Sequence, residues 1–130
     1  MIQGVIFDLG HTLIHLTEDH DTVARAGAEA MAEWYFKKKR IKLDQAGLVE
    51  TFLRERAAAW QAGEQSHQET PIMVTLEKSL DAIEAPSTAK NKTLMEMAIK
   101  IYFEPEQSAW RAYPDAIDSL RALKRQGLRL

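Results

Sequence analysis

Val5-Ile6-Phe7-Asp8-Leu9-Gly10-His11-Thr12-Leu13 is the stretch whose reading decides the fold of this chain. Residues from Ile2 to Leu9 read as a strand. Val5, Ile6 and Phe7 are apolar in succession, the pattern of a strand covered on both faces rather than on one. Such strands belong to parallel sheets packed between helices. Gly10 interrupts the run and signals a turn. An aspartate therefore ends a strand expected to be buried. Open α/β sheets bind ligands at the carboxyl ends of their strands. A carboxylate there is costly to desolvate unless a cation or hydrogen-bond donors meet it. Asp8 thus reads as an acid placed for use. The plainer alternative is an acid that caps a turn.

The chain beyond this segment is helical in pattern. Val23, Ala26, Ala30, Met31, Trp34 and Tyr35 fall at helical spacing, with Asp21 as the expected N-cap. Asp44 is placed to cap a second helix with Leu48, Phe52, Leu53, Ala59 and Trp60 inward. Thr70-Pro71 reads as cap and first-turn proline of a third, whose stripe is Ile72, Leu76, Leu80 and Ile83. A fourth is expected from about Ser87 to Tyr102, with Leu94, Ala98 and Ile101 inward. Short polar connections between four helices suggest an antiparallel bundle. Tyr113-Pro114 then leads a last helix with Ile117, Leu120 and Leu123 on one face. Gly127 stands where a glycine C-cap belongs, and Leu128-Arg129-Leu130 turns extended.

The order is strand, helical bundle, helix, start of a strand. Parallel strands need a crossover connection, and here the crossover carries a bundle of its own. The expected architecture is an α/β core with an inserted helical domain. Residues 1–16 form the first core strand and motif loop, 17–108 the helical insertion, and 109–130 the return helix and the start of a second core strand.

Composition removes several classes of function. The chain has 130 residues, enough for one modest domain. A net charge of −2 offers no electrostatic case for nucleic acid. Without cysteine there is no disulfide framework, thiolate zinc site or cysteine nucleophile. That fits a reducing cytoplasm, the expected location. No segment is long and apolar enough to suggest a membrane partner, and the first residues lack the form of a signal peptide.

The opening stretch resembles the first motif of the haloacid-dehalogenase-like (HAD) hydrolases, an apolar strand followed by Asp-x-Asp-x-Thr. The resemblance covers the whole chain as topology, because many of these enzymes carry a helical cap just after the first strand. It covers residues 2–14 and 112–130 as motif. It implies a Rossmannoid core, incomplete in this chain, with an inserted helical cap. It also implies a magnesium-dependent phosphatase or phosphotransferase acting on a small phosphorylated metabolite. Asp8 would be the nucleophile that forms an aspartyl-phosphate and a magnesium ligand. The backbone carbonyl of Gly10 would be a second ligand. The amides of Leu9 and Gly10 would touch the phosphoryl oxygens, and Thr12 matches the motif threonine. The later motifs are expected beyond Leu130. The chain alone is therefore expected to be inactive and to self-associate through its incomplete sheet.

One position departs from the pattern. The second aspartate, the usual general acid, is replaced by Gly10. General acid help is worth roughly 100- to 10,000-fold in rate. Its absence implies a slow enzyme, a leaving group that needs little protonation, or another donor. His11 is adjacent and is a candidate donor, although a turn residue facing solvent or the cap is the favoured explanation. The departure also motivates a rival: a HAD-like protein that binds a ligand or partner without turnover. A plain helical interaction module is a third class. His15 and His20 with Asp19 and Asp21 lack the spacing of a zinc site and read as a solvated connection. Lys37 to Arg40 reads as the basic end of a helix. Trp34, Tyr35 and Trp60 read as core.

Overall fold

Capping sets where the helices start. In the computed structural model, which describes residues 1–130, Asp19 caps helix α1 (His20–Glu33). Its Oδ1 accepts from the Thr22 amide at 2.9 Å and its Oδ2 from the Thr22 hydroxyl at 2.6 Å. These bonds hold the Asp19 carboxyl below its ordinary range. Asp21, the expected cap, lies within the first turn. The helix widens into a π-helical turn at Trp34–Lys38. There Lys37 pairs with Glu33 and Lys39 lies 5.2 Å above the Trp34 ring, so the basic run does finish a helix.

Asp44 caps α2 (Gln45–Ser66), as expected, through the Gly47 amide at 2.9 Å. Helix α3 (Ile72–Ala82) starts one residue later than the proline pattern implies, with Pro71 at the cap. A short 3₁₀ turn (Ser87–Lys90) precedes α4 (Lys92–Ala109), which Asn91 caps. Helix α4 runs past Tyr102, where periodicity ends it, and through Pro105 to Ala109. Burial of Ala109 and two bonds to its carbonyl, from the Thr17 amide at 2.9 Å and hydroxyl at 3.1 Å, anchor the extended end. Local propensity yields here to tertiary contact.

The core lies among α1 to α4. Met31, Tyr35, Leu48, Phe52, Leu76, Leu80 and Tyr102 are fully buried, and burial of each such side chain stabilises by about 1.5–3 kcal/mol. Tyr35 donates its hydroxyl to the Ala89 carbonyl at 3.1 Å. The Phe52 and Tyr102 rings meet edge to face at 4.9 Å. Helices α1 and α2 are antiparallel: Arg25 pairs with Glu50 at 2.7 Å, while Lys37 shares a surface cleft with Gln45. Trp60 departs from its expected core role and is 71% exposed, because it lines an open groove shared with α3 and α4.

A two-stranded antiparallel neck joins this bundle to the motif loop. Strand β1 (Ile14–Leu16) pairs with β2 (Trp110–Ala112) in the register Ile14–Ala112, His15–Arg111, Leu16–Trp110. The chain enters the bundle through β1 and leaves through β2. Helix α5 (Ala116–Arg125) follows and ends in a glycine C-cap. Gly127 has φ +81, and the Leu128 amide bonds to the Leu123 carbonyl at 3.3 Å.

The extended segment after α5 returns beside the N-terminus. Gly4 and Arg129 form a parallel bridge. The Val5 amide donates to the Arg129 carbonyl at 2.8 Å, and the Arg129 amide to the Gln3 carbonyl at 3.1 Å. The strand read over Ile2 to Leu9 makes only this one bridge, because no second strand pairs with Ile6 to Leu9. Ile6 is fully exposed and Ile117 on α5 is half exposed, so neither apolar surface has a cover. No helix of the chain is long and apolar enough to cross a membrane.

Candidate functional site

The loop from Asp8 to Leu13 closes on itself. The Leu9 carbonyl accepts from the Leu13 amide at 2.9 Å and the Ile14 amide at 3.1 Å, with Thr12 more distant at 3.4 Å. The His11 amide returns to the Ile14 carbonyl at 2.6 Å. This makes a tight turn that feeds directly into β1. The left-handed residue of the turn is His11, with φ 60. Gly10, expected to supply the turn's conformational freedom, is not in that region. A Cβ added there would meet only Cη2 of Trp110, at an ordinary 3.6 Å.

Asp8 stands on this loop in solvent, not buried at a strand end. The Thr12 hydroxyl points at its Oδ2 across 3.5 Å, the outer limit of a hydrogen bond. The amides of Leu9 and Gly10 donate no hydrogen bond within the chain, and the Gly10 carbonyl accepts none. One carboxylate, one hydroxyl, two unengaged donors and one unengaged carbonyl thus share five consecutive residues. The sequence-predicted residues Asp8, Leu9, Gly10 and Thr12 stay together as local neighbours.

What the fold adds comes from the neck. His11 lies 5.6 Å from Trp110 of β2, ring centre to ring centre, and 5.8 Å from His20 at the start of α1. His20 and Trp110 are 6.5 Å apart. Three rings from three distant parts of the chain therefore hold one flank of the loop. His15 turns to the other flank and packs on Tyr113 at 4.7 Å. Sequence reasoning did not find Trp110, because nothing local marks a residue whose partner lies about one hundred positions earlier.

An oxygen-seeking cation fits this site in part. Asp8 and the Gly10 carbonyl are the available oxygen donors, and magnesium keeps several waters when few protein ligands reach it. No three acidic, histidine or cysteine side chains are gathered to hold a metal anywhere in the chain. Asp19 is committed to capping α1, which removes the acids and histidines near residue 20 as a cluster. Compared with known proteins, no family model matches the chain, and no curated protein matches it significantly.

Proposed function

We propose that this chain carries the nucleophile and cap of a HAD-like, magnesium-dependent phosphatase or phosphotransferase acting on a small phosphorylated metabolite. The observation that carries the reading is the Asp8 loop: an accessible carboxylate beside two unengaged amides and the Thr12 hydroxyl. The parallel bridge between Gly4 and Arg129, made after a long helical crossover, supports an α/β core.

On this reading an Asp8 oxygen attacks phosphorus as the ester P–O bond breaks, leaving an aspartyl-phosphate. Water then releases phosphate. The Leu9 and Gly10 amides meet the phosphoryl oxygens as charge moves onto them. Asp8 and the Gly10 carbonyl would hold the magnesium ion, which supplies charge neutralisation when bound. His11, held by Trp110 and His20, is the nearest group able to give the leaving oxygen a proton.

The test is capture of trifluoroberyllate with magnesium by a chain extended past Leu130 to supply the later motifs, followed by ¹⁹F NMR. Bound resonances in the native chain that vanish in Asp8→Asn support an acylphosphate-forming site. Absence of bound resonances in the native chain removes the reading. A second reading is a HAD-like protein that binds ligand or partner without turnover. Gly10 in place of the usual general acid favours it. It predicts phosphate or magnesium binding with no covalent capture.

A further inference from the structure

Away from the motif loop, a cavity of about 550 Å³ lies between the second half of α2, the start of α3 and α4. Arg56, Trp60, Ile72, Thr75 and Phe103 line it. The size suits a small organic molecule. Helices α2 and α4 run in the same direction here, since Phe52 meets Tyr102 across the core and Arg56 feels Glu106. Because α4 leads into β2, the groove opens at the neck end of the bundle.

Two polar groups in it have no partner of their own. The Arg56 guanidinium lies 5.1 Å above the Tyr102 ring and belongs to none of the ion pairs or hydrogen bonds of the chain. Burial pushes Arg56 down from the ordinary arginine range, and Glu106 opposes that shift from beyond contact distance. It stays charged all the same, since arginine does not lose its proton in proteins. Thr75 is only 3% exposed, and its hydroxyl makes no hydrogen bond within the chain. A partly desolvated cation without a partner costs stability, and the Thr75 hydroxyl is left free to meet a ligand. The apolar part of the wall is the Phe103 and Trp60 rings with the Ala59 and Ile72 side chains, four of the twelve lining residues, and most of the remainder is polar. Trp60 is exposed although its position was expected to be core.

We propose that this groove binds a small organic carboxylate with an aromatic or branched apolar body. The carboxylate takes the two-pronged donor face of Arg56 and the Thr75 hydroxyl. The apolar body lies against Trp60 and Phe103. Glu64 is drawn to the rim by the Trp60 indole, which donates to it at 3.1 Å. Glu64 and Glu69 are both exposed, and water screens them from a buried carboxylate. The site stands on its own residues and does not depend on Asp8 being a nucleophile.

The experiment titrates the 130-residue chain with phenylacetate, phenylacetamide and 2-phenylethylamine. The readouts are the Trp60 indole N–H signal in ¹H–¹⁵N NMR and calorimetry. Phenylacetate is expected to bind saturably and the amide at least about tenfold more weakly, since loss of one charge-assisted pair costs that much. Arg56→Gln and Thr75→Val should each weaken phenylacetate binding. Trp60→Ala, at an exposed position, should weaken it without lowering the melting temperature. No saturable binding by the native chain, or equal affinity for phenylacetamide, overturns the proposal. So does a preference for the amine, which would make Glu64 and Glu69 the recognising groups. Full affinity in Trp60→Ala would also overturn it. The comparison of the three probes uses only the native chain, so it holds even if Arg56→Gln fails to fold.

Discussion

Gly27 of α1 meets the backbone of Tyr102 on α4 so closely that a Cβ on Gly27 would stand 2.1 Å from the Tyr102 carbonyl oxygen. The obstacle is main chain and cannot swing away. An alanine gains about 1 kcal/mol of helix propensity over glycine, but forcing two helices apart costs about 1–3 kcal/mol. We expect Gly27→Ala to lower stability in urea unfolding. Unchanged or raised stability would show that α1 and α4 separate freely.

Asp8→Asn should abolish covalent capture while leaving the fold intact. Asp8 is exposed and its one contact, with Thr12, is long. The change in unfolding free energy should stay within about 0.5 kcal/mol, the usual range for a surface substitution. Thermal melts beside the ¹⁹F experiment check both halves. Capture that survives in the asparagine variant rules Asp8 out as the attacking group.

Gly10→Asp should be tolerated, because Gly10 is not left-handed and its nearest obstacle is the Trp110 ring edge at 3.6 Å. If Asp8 is a nucleophile, the new carboxyl should raise turnover of alkyl phosphates more than of aryl phosphates, whose leaving groups need no proton. Equal effects on both substrate classes would remove the general-acid argument.

Tyr35 links stability to pH. Burial pushes its hydroxyl up to about 12, above the ordinary tyrosine value near 10. The unfolded chain therefore loses this proton first. The stabilisation is whole below about pH 10 and is lost as pH rises towards about 12. Tyr35→Phe should flatten that part of the stability–pH curve. It should also cost about 1 kcal/mol at neutral pH, through the lost bond to Ala89. An unaltered alkaline slope would mean that lysines set it.

Ile6 is fully exposed, and the amides from Ile6 to Gly10 donate no hydrogen bond within the chain. An apolar segment with an open backbone edge invites strand pairing with another copy. We expect concentration-dependent association by sedimentation, reduced in Ile6→Lys. A monodisperse monomer in both forms would mean that this segment is protected in some other way.

Helix positions were legible because 3.6-residue periodicity and local caps are short-range signals. Asp44 caps α2 and Gly127 closes α5 as their sequence contexts imply. Errors arose where a distant contact outweighed the local signal. Helix α4 continues through Pro105 because Ala109 is tied to Thr17. Trp60 falls on an apolar stripe, yet it faces an open groove rather than a packed helix, and a stripe does not state what faces it.

The candidate site divides in the same way. Asp8, Leu9, Gly10 and Thr12 come together by adjacency alone, so their grouping was decided in the sequence. The rings of Trp110 and His20 around His11, the left-handed backbone at His11 in place of Gly10, and the meeting of an unpaired Arg56 with Thr75 in the groove between α2, α3 and α4 were not. Each depends on residues brought together from separate elements, and periodicity carries no information about such pairs. Local sequence was enough for the existence of the helices, the ends set by Asp44 and Gly127, and the composition of the Asp8 loop. Only the tertiary structure decided which surfaces are covered and which polar groups remain without partners, because burial belongs to the packed chain and not to any one segment of it.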